Sequence, residues 1–477
     1  MSLAEVAAAA GGRLAGSADP AATAQSLTID SRTASAGTLF AALPGEHVDG
    51  HDYAAAATAA GAVAVLAARE LDVPCVVVDD VQDAMAALAA EALRRLPEVR
   101  VVALTGSAGK TSTKDLLAGL LGTLGPTVAP PGSFNNDLGV PLTVLSCDAA
   151  TRYLVLEMGA RGLGHIARLC RIAPPSVGLV LNVGSAHLGE FGTREVTAQA
   201  KGELAEATRD VAVLNADDPL VAAMASRTSA TVRTFGENLA ADVRADDIDL
   251  DEQGRPVFTL STGGAGADGE SAPVALRTFG EHQVPNALAA AAAALACGLD
   301  LPAVAAGLSA AESRSRWRME VTRRADGLTV INDAYNANPE SMRAALKALV
   351  AMAAGRRSWA VLGQMAELGP DAPTEHENLG RLAVRLGVDR LVVVGDEAGR
   401  LHAGAVLEGS WSGESVHVAD LEAAVALLAD EVGADDVVLV KGSRVAGLER
   451  VAAALLDLPT ESSAPMTATP ATGATTE

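Results

Sequence analysis

VVALTGSAGKTST, residues 101 to 113, sets a hydrophobic strand, a glycine-rich turn, then Lys110, Thr111 and a helix in immediate succession. That layout cradles a polyphosphate. Backbone N–H groups and the helix N-terminus face the oxygens, Lys110 neutralises them, and the Thr111 hydroxyl reaches a magnesium ion. Thr105, Gly106, Ser107, Ala108, Gly109, Lys110, Thr111 and Ser112 are therefore the candidate ATP-binding loop. The general phosphate-loop pattern has a glycine where Leu104 stands, so it is matched only in its second half, and a structural turn with an incidental lysine is the alternative reading.

Downstream, the strand, turn and helix pattern repeats: YLVLEMG with a helix from Leu163, VGLVLNVG with a helix from Thr193, then VAVLNADD with another. This alternation predicts a largely parallel sheet covered on both faces. Between Thr231 and Arg277 it lapses into short β-rich runs, read as an antiparallel extension with a hairpin tip over 263–269. A third α/β series follows the basic stretch with Arg314, Arg316 and Arg318: LTVIND, SWAVLG, RLVVVG and DVVLVKG, each leading into a helix. Upstream, residues 62–66 and 75–79 read as strands and 53–60 and 84–96 as helices of a small α/β domain. The expected class is α/β with domains at 1–97, 98–316 and 317–459, and a disordered tail at 460–477.

Composition narrows the function classes. A chain of 477 residues with 49% hydrophobic residues is globular and multidomain. A formal charge of -23 argues against nucleic acid and anionic membrane surfaces, so an anionic substrate must be held by a few local cations, helix N-termini and metal ions. Cys75, Cys147, Cys170 and Cys297 are far apart, without a CxxC, and read as reduced, mostly buried thiols. Glu5 interrupts the apolar opening and no stretch has the length of a membrane span, so a cytoplasmic protein is expected. A monomer is the expected state, although no residue pattern decides it.

Lysine usage is more telling. Lys110, Lys114, Lys201, Lys347 and Lys441 stand against 31 arginines, which makes each lysine a candidate for a task arginine cannot do. Chance survival on a solvated helix face is the competing reading, applied here to Lys347, Lys114 and, by default, Lys201. Glu157 closes the strand after the loop, where a carboxylate can join Thr111 on a metal. His187 follows the next strand in the same way, although a lone histidine is more often structural.

Taken together, TGSAGKTST, the EMG after a strand, the AH followed by EFG, and the KGE resemble the Mur ligases and the related folylpolyglutamate synthetases. That superfamily has a phosphate loop of the form TGxxGKT, which accounts for Leu104. Further segments, FNNDLGVPLTVL from Phe134, FGEHQVPNALAAAA from Phe279, INDAYNANPESM from Ile331 and KGSR at Lys441, resemble its dipeptide-adding branch. The resemblance implies an N-terminal domain for the UDP end of the substrate, a central ATPase and a C-terminal Rossmann-like domain. It implies UDP-N-acetylmuramoyl-tripeptide and D-alanyl-D-alanine as substrates, with ATP and two Mg2+ ions as cofactors.

Residue by residue, the resemblance puts Thr111 and Glu157 on one Mg2+, and His187 with a carbamylated Lys201 on a second. Lys110, Lys201 and His187 are the catalytic candidates. It matches Asn286 to the adenine contact and Arg318 and Asp333 to further nucleotide contacts. Ser31, Arg32, Asn135 and Asn136 match substrate positions, and Asn336 and Asn338 the dipeptide half of the pocket. It leaves His376 and Lys441 without a defined role. Each motif also has a structural alternative: Asp-Ser-Arg as a turn, paired asparagines at helix ends, Asn338 and Pro339 as a helix start. The rival functions are a sister ligase adding one amino acid, a phosphate-loop switch protein without ligation, and an inactive binding protein.

Overall fold

A computed structural model describes residues 1–45, 48–184, 193–264, 269–409 and 414–457. The expected tail lies outside the described residues, as does His187 and most of the expected hairpin tip at 263–269. The fold is α/β, built on three sheets. By its internal contacts the chain divides into two compact units, Met1–Asp251 with Arg255–Ser315, and Glu252–Gly254 with Arg316–Glu477.

The first sheet has five short strands in the order Arg13–Ala15, Cys75–Val77, Ala64–Ala67, Thr38–Ala41 and Ser26–Thr28, with only the first antiparallel to its neighbour. Helices Leu3–Ala10 and Val81–Arg94 cover it through Leu3, Val6, Met85 and Leu88. Leu138 and Leu142 of the next domain pack on the same core, which seats the first domain on the second.

The second sheet has nine strands. Its order is Ser271–Ala275, Pro256–Thr262, Val243–Leu250, Thr231–Gly236, Val211–Asn215, Val177–Val180, Arg100–Thr105, Tyr153–Glu157 and Thr127–Val128. Helices Lys110–Leu121, Gln283–Ala296 and Leu301–Ala310 pack on one face, and His165–Ile172 and Arg194–Ala207 on the other. Strands enclosed on both sides carry continuous apolar runs, which is why VVAL and LVL are buried without alternation. Each such side chain contributes roughly 1.5–3 kcal/mol by burial.

The extension differs from expectation in its sense. Strand Thr231–Gly236 pairs parallel with Val211–Asn215 and, for two residues, with Val243–Leu250; the antiparallel pairing begins only at Pro256–Thr262.

The third sheet runs Glu320–Arg323, Thr329–Asn332, Val437–Lys441, Ser358–Leu362, Arg390–Val394 and Ser415–Val418, parallel apart from its first strand. Four of these six strands match the repeated segments of the sequence. Glu320–Arg323 and Ser415–Val418 do not, since EVTR and SVHV are short, largely unburied edge strands without an apolar run. Among the described residues no helix is long and apolar enough to cross a membrane. All four cysteines are free, and burial pushes the thiols of Cys147 and Cys170 up to about 12 and that of Cys297 to about 11.

Candidate active site

Strand Arg100–Thr105 lies between two strands that follow it in the chain, Tyr153–Glu157 on one side and Val177–Val180 on the other. Strand order reverses there, and the loops leaving the carboxyl ends diverge into a crevice. The glycine-rich turn 106–109 leaves from this point, Glu157 ends the strand to one side, and Asn182 follows the strand to the other.

Gly109 starts the helix at φ +80°, and a Cβ there would stand 2.1 Å from Asn286 Oδ1, so both backbone and neighbour demand glycine. The first-turn N–H groups of the Lys110–Leu121 helix have no acceptor in a preceding turn and point out of its N-terminus. Lys110 Nζ curls back to donate to the Gly106 carbonyl at 2.8 Å. The amides of Ser107 and Ala108 donate to Asn182 Oδ1, both at 2.9 Å, so Asn182 holds the shape of the turn. Thr105 Oγ1 is buried with no hydrogen-bond partner. Ser112 sits half-buried in the helix's first turn. Asn286, buried at the start of the Gln283–Ala296 helix, meets Gly109 and Thr113 and donates to Gln283 Oε1 at 3.0 Å.

Glu157 is 1% exposed, and three donors converge on it. Thr111 Oγ1 donates to Oε2 at 2.8 Å; Ser133 Oγ and Asn135 Nδ2 donate to Oε1, each at 2.7 Å. The carboxylate thus joins the phosphate-loop helix to the loop carrying Asn135. Asn136 turns the other way: its Oδ1 accepts the amides of Leu138 and Gly139 and caps the Gly139–Val144 helix, so the structural alternative holds for that side chain.

Lys201 corrects its default reading as a surface lysine. It is 3% exposed inside the Arg194–Ala207 helix, and burial first, then the nearby Lys110 ammonium, pulls its ammonium down to about 7. Lys114 needs the same correction, being 1% exposed with its ammonium among three oxygens. Lys347, by contrast, is exposed, as a solvated helix face requires.

In the first domain Ser31 and Arg32 form a single 3-10 turn capped by Asp30. The Arg32 guanidinium grips the Asp30 carboxylate at 2.7 Å and, mainly by that bond, holds its pKa down to about 2. The turn reading is therefore right for the backbone, while the Arg32 side chain stays 87% exposed to solvent.

In the second unit Asp333 accepts the Met319 amide on Oδ1 at 3.0 Å and Lys441 Nζ on Oδ2 at 2.6 Å. Lys441 also donates to the Asn336 carbonyl at 2.9 Å. Trp317 and Met319 flank Arg318 at φ +60° and +48°, a left-handed conformation that costs a residue with a Cβ roughly 1 kcal/mol or more. Those bends hold the Arg318 guanidinium 4.2 Å from the Tyr335 ring, with Nε buried and lacking a hydrogen-bond partner. Asn338 caps the Pro339–Ala353 helix in a reciprocal box with Ser341, and Asn336 Oδ1 accepts the Ala337 amide. His376 is buried, donating through Nδ1 to the Ala372 carbonyl and accepting the Met365 amide at Nε2.

The first unit thus brings Lys110, Thr111, Glu157, Asn135 and Asn286 around one phosphate loop, and the second gathers Asp333 and the Asn336 carbonyl at Lys441, with Arg318 stacked on Tyr335. Sequence reasoning missed Asn182 and Ser133, for a lone asparagine after a strand and a serine in a loop carry no pattern. The Mur ligase middle domain matches residues 104–294, the Mur ligase glutamate ligase domain 317–444, and the Mur ligase family catalytic domain 23–110. The chain belongs to the Mur ligase family. A relative in Mycobacterium bovis, UDP-N-acetylmuramoyl-tripeptide--D-alanyl-D-alanine ligase, is 53% identical, with 90% of this chain and 91% of that one covered. Among solved Mur ligases, MurF from Acinetobacter baumannii superposes with a TM-score of 0.84 at 33% identity, covering 95% of this chain and 98% of that one. MurF from Thermotoga maritima in complex with ADP superposes at 0.77 with 30% identity, covering 90% and 97%.

Proposed function

We propose that this Mur ligase joins D-alanyl-D-alanine to UDP-N-acetylmuramoyl-tripeptide using ATP, as a cytoplasmic monomer serving peptidoglycan synthesis. The observation that carries the reading is the convergence of Thr111, Ser133 and Asn135 on buried Glu157. It puts a nucleotide-binding helix and a candidate substrate loop on one carboxylate. The shared name of the mycobacterial relative and the FNND and YNANP segments support the choice of substrates.

The tripeptide carboxylate takes the γ-phosphoryl group of ATP, ADP leaves, and an acyl phosphate forms. The free amine of the dipeptide attacks the acyl carbon, inorganic phosphate departs and the amine sheds a proton. Lys110 would leave the Gly106 carbonyl for the β- and γ-phosphate oxygens, and the helix N-terminus adds its partial positive charge. Asn286 lies against the loop where an adenine contact would begin, and Arg318 and Asp333 supply further nucleotide contacts. Ser31 and Arg32 meet the UDP end, Asn135 and Asn136 the peptide end, and Asn336 and Asn338 the dipeptide.

The donor chemistry fits magnesium. Thr111 and Glu157 are hard oxygen ligands already in contact, and they would hold one ion. Lys201, carbamylated by CO2, would with His187 hold a second; a buried amine pulled down to about 7 has a substantial unprotonated fraction at neutral pH and so is able to react. Bound there, Mg2+ supplies neutralisation of the phosphate charge.

Mass spectrometry of the product tests the reading. With ATP, Mg2+ and both substrates, the nucleotide product should gain the mass of the dipeptide less one water. Gain of a single amino acid instead would favour the sister ligase.

A further inference from the structure

Lys114 belongs to no expected site, yet it is among the largest fully buried side chains of the described residues. Its ammonium donates to the carbonyls of Pro130 at 2.7 Å and Gly132 at 2.8 Å and pairs with Asp115 Oδ1 at 2.9 Å. An ammonium has three donors spread around one point, and here three oxygens meet it; a planar guanidinium would fit neither the volume nor the directions. That accounts for lysine in a chain with so few.

The two carbonyls lie immediately before Ser133 and Asn135, the residues that reach Glu157. Gly132 itself, at φ +61° with open space around its missing Cβ, makes no side-chain contact that could hold the loop there. Asp115, the neutralising partner, also accepts the Ser315 hydroxyl at 2.5 Å, so the same carboxylate ties down the chain where the first compact unit ends. A buried ammonium needs such partners, and loss of the ammonium leaves two carbonyls and a carboxylate short of a donor.

We propose that Lys114 is a positioning residue for substrate: by gripping residues 130–132 from the phosphate-loop helix, it sets Ser133 and Asn135 at Glu157 and so shapes the site for the peptide end of the nucleotide-linked substrate. The choice of substrate rests on the proposed function; the grip on the loop does not.

Two measurements on the full chain separate these. Hydrogen exchange on the substrate-free protein compares Lys114→Met with the parent. Amides of 132–139 should exchange roughly tenfold or more faster, while strand Tyr153–Glu157 is unchanged. In steady state the variant should raise KM for the UDP-muramoyl tripeptide roughly tenfold and leave KM for ATP within about twofold. Lys114→Arg should not rescue it, whereas Lys347→Met should match the parent. If Lys114→Met fails to fold, Asp115→Asn should show the same pattern at smaller amplitude. Unchanged exchange at 132–139, or equal rises in both KM values with faster exchange throughout the sheet, would overturn the proposal. If the parent releases no phosphate with these substrates, the functional reading fails, and the exchange result still decides the role of Lys114.

Discussion

The Thr111 hydroxyl donates to Glu157 Oε2 at 2.8 Å, tying the first turn of the phosphate-loop helix to the end of the neighbouring strand. If both are ligands of one Mg2+, Glu157→Gln keeps the shape and removes the charge that holds the ion. Activity should fall roughly a hundredfold or more, with half-saturation moved to higher Mg2+. A magnesium titration of phosphate release checks this; an unchanged titration curve would take Glu157 off the metal.

Lys201 is suited to carbamate formation because burial pulls its ammonium down to about 7, which leaves a substantial neutral fraction of the amine at neutral pH, and only lysine has such an amine. Lys201→Arg should be nearly inactive, and Lys201→Ala should recover partly with added short carboxylic acids. Carbon-13 NMR of the parent in labelled bicarbonate should show a carbamate signal missing from Lys201→Ala. Normal ligation by Lys201→Arg would rule the carbamate out.

Lys441 is 2% exposed and bonded to Asp333 and to the backbone of the YNANP loop. Lys441→Met leaves a largely buried carboxylate without its counter-charge and should cost about 3 kcal/mol or more. Urea unfolding should show this as a lower midpoint, not corrected by Lys441→Arg.

His376 gives a pH dependence. Burial lowers its pKa below the ordinary 6.5, so the unfolded chain takes up a proton that the native side chain resists. The stability it contributes is complete above about pH 6.5 and is lost as pH falls through the lower native value. His376→Gln should be less stable than the parent at pH 8 by about 1 kcal/mol for its lost hydrogen bonds, with a smaller gap at pH 5. Urea midpoints at the two pH values measure the gap; a constant gap would contradict a neutral buried His376.

The phosphate loop and Glu157 were legible because a strand end, a glycine turn and a helix start each leave a local pattern. The N-cap of Asn338 was legible too, from the proline after it. What local pattern cannot carry is which face of a helix is covered: Lys114 and Lys201 look like surface lysines until the sheet and the 130–132 loop close over them. Nor can it say which of two adjacent asparagines turns toward the carboxylate. Asn135 does, while Asn136 caps a helix. Ser415–Val418 escaped because an edge strand with half-exposed residues lacks the apolar run of its neighbours.

The most direct test of the account is phosphate release by the purified chain with ATP and Mg2+, omitting each substrate in turn. Release should require UDP-N-acetylmuramoyl-tripeptide and D-alanyl-D-alanine together, and Lys110→Ala should lose it by orders of magnitude while remaining folded. Comparable release with a single amino acid in place of the dipeptide, or with no amine at all, would contradict it.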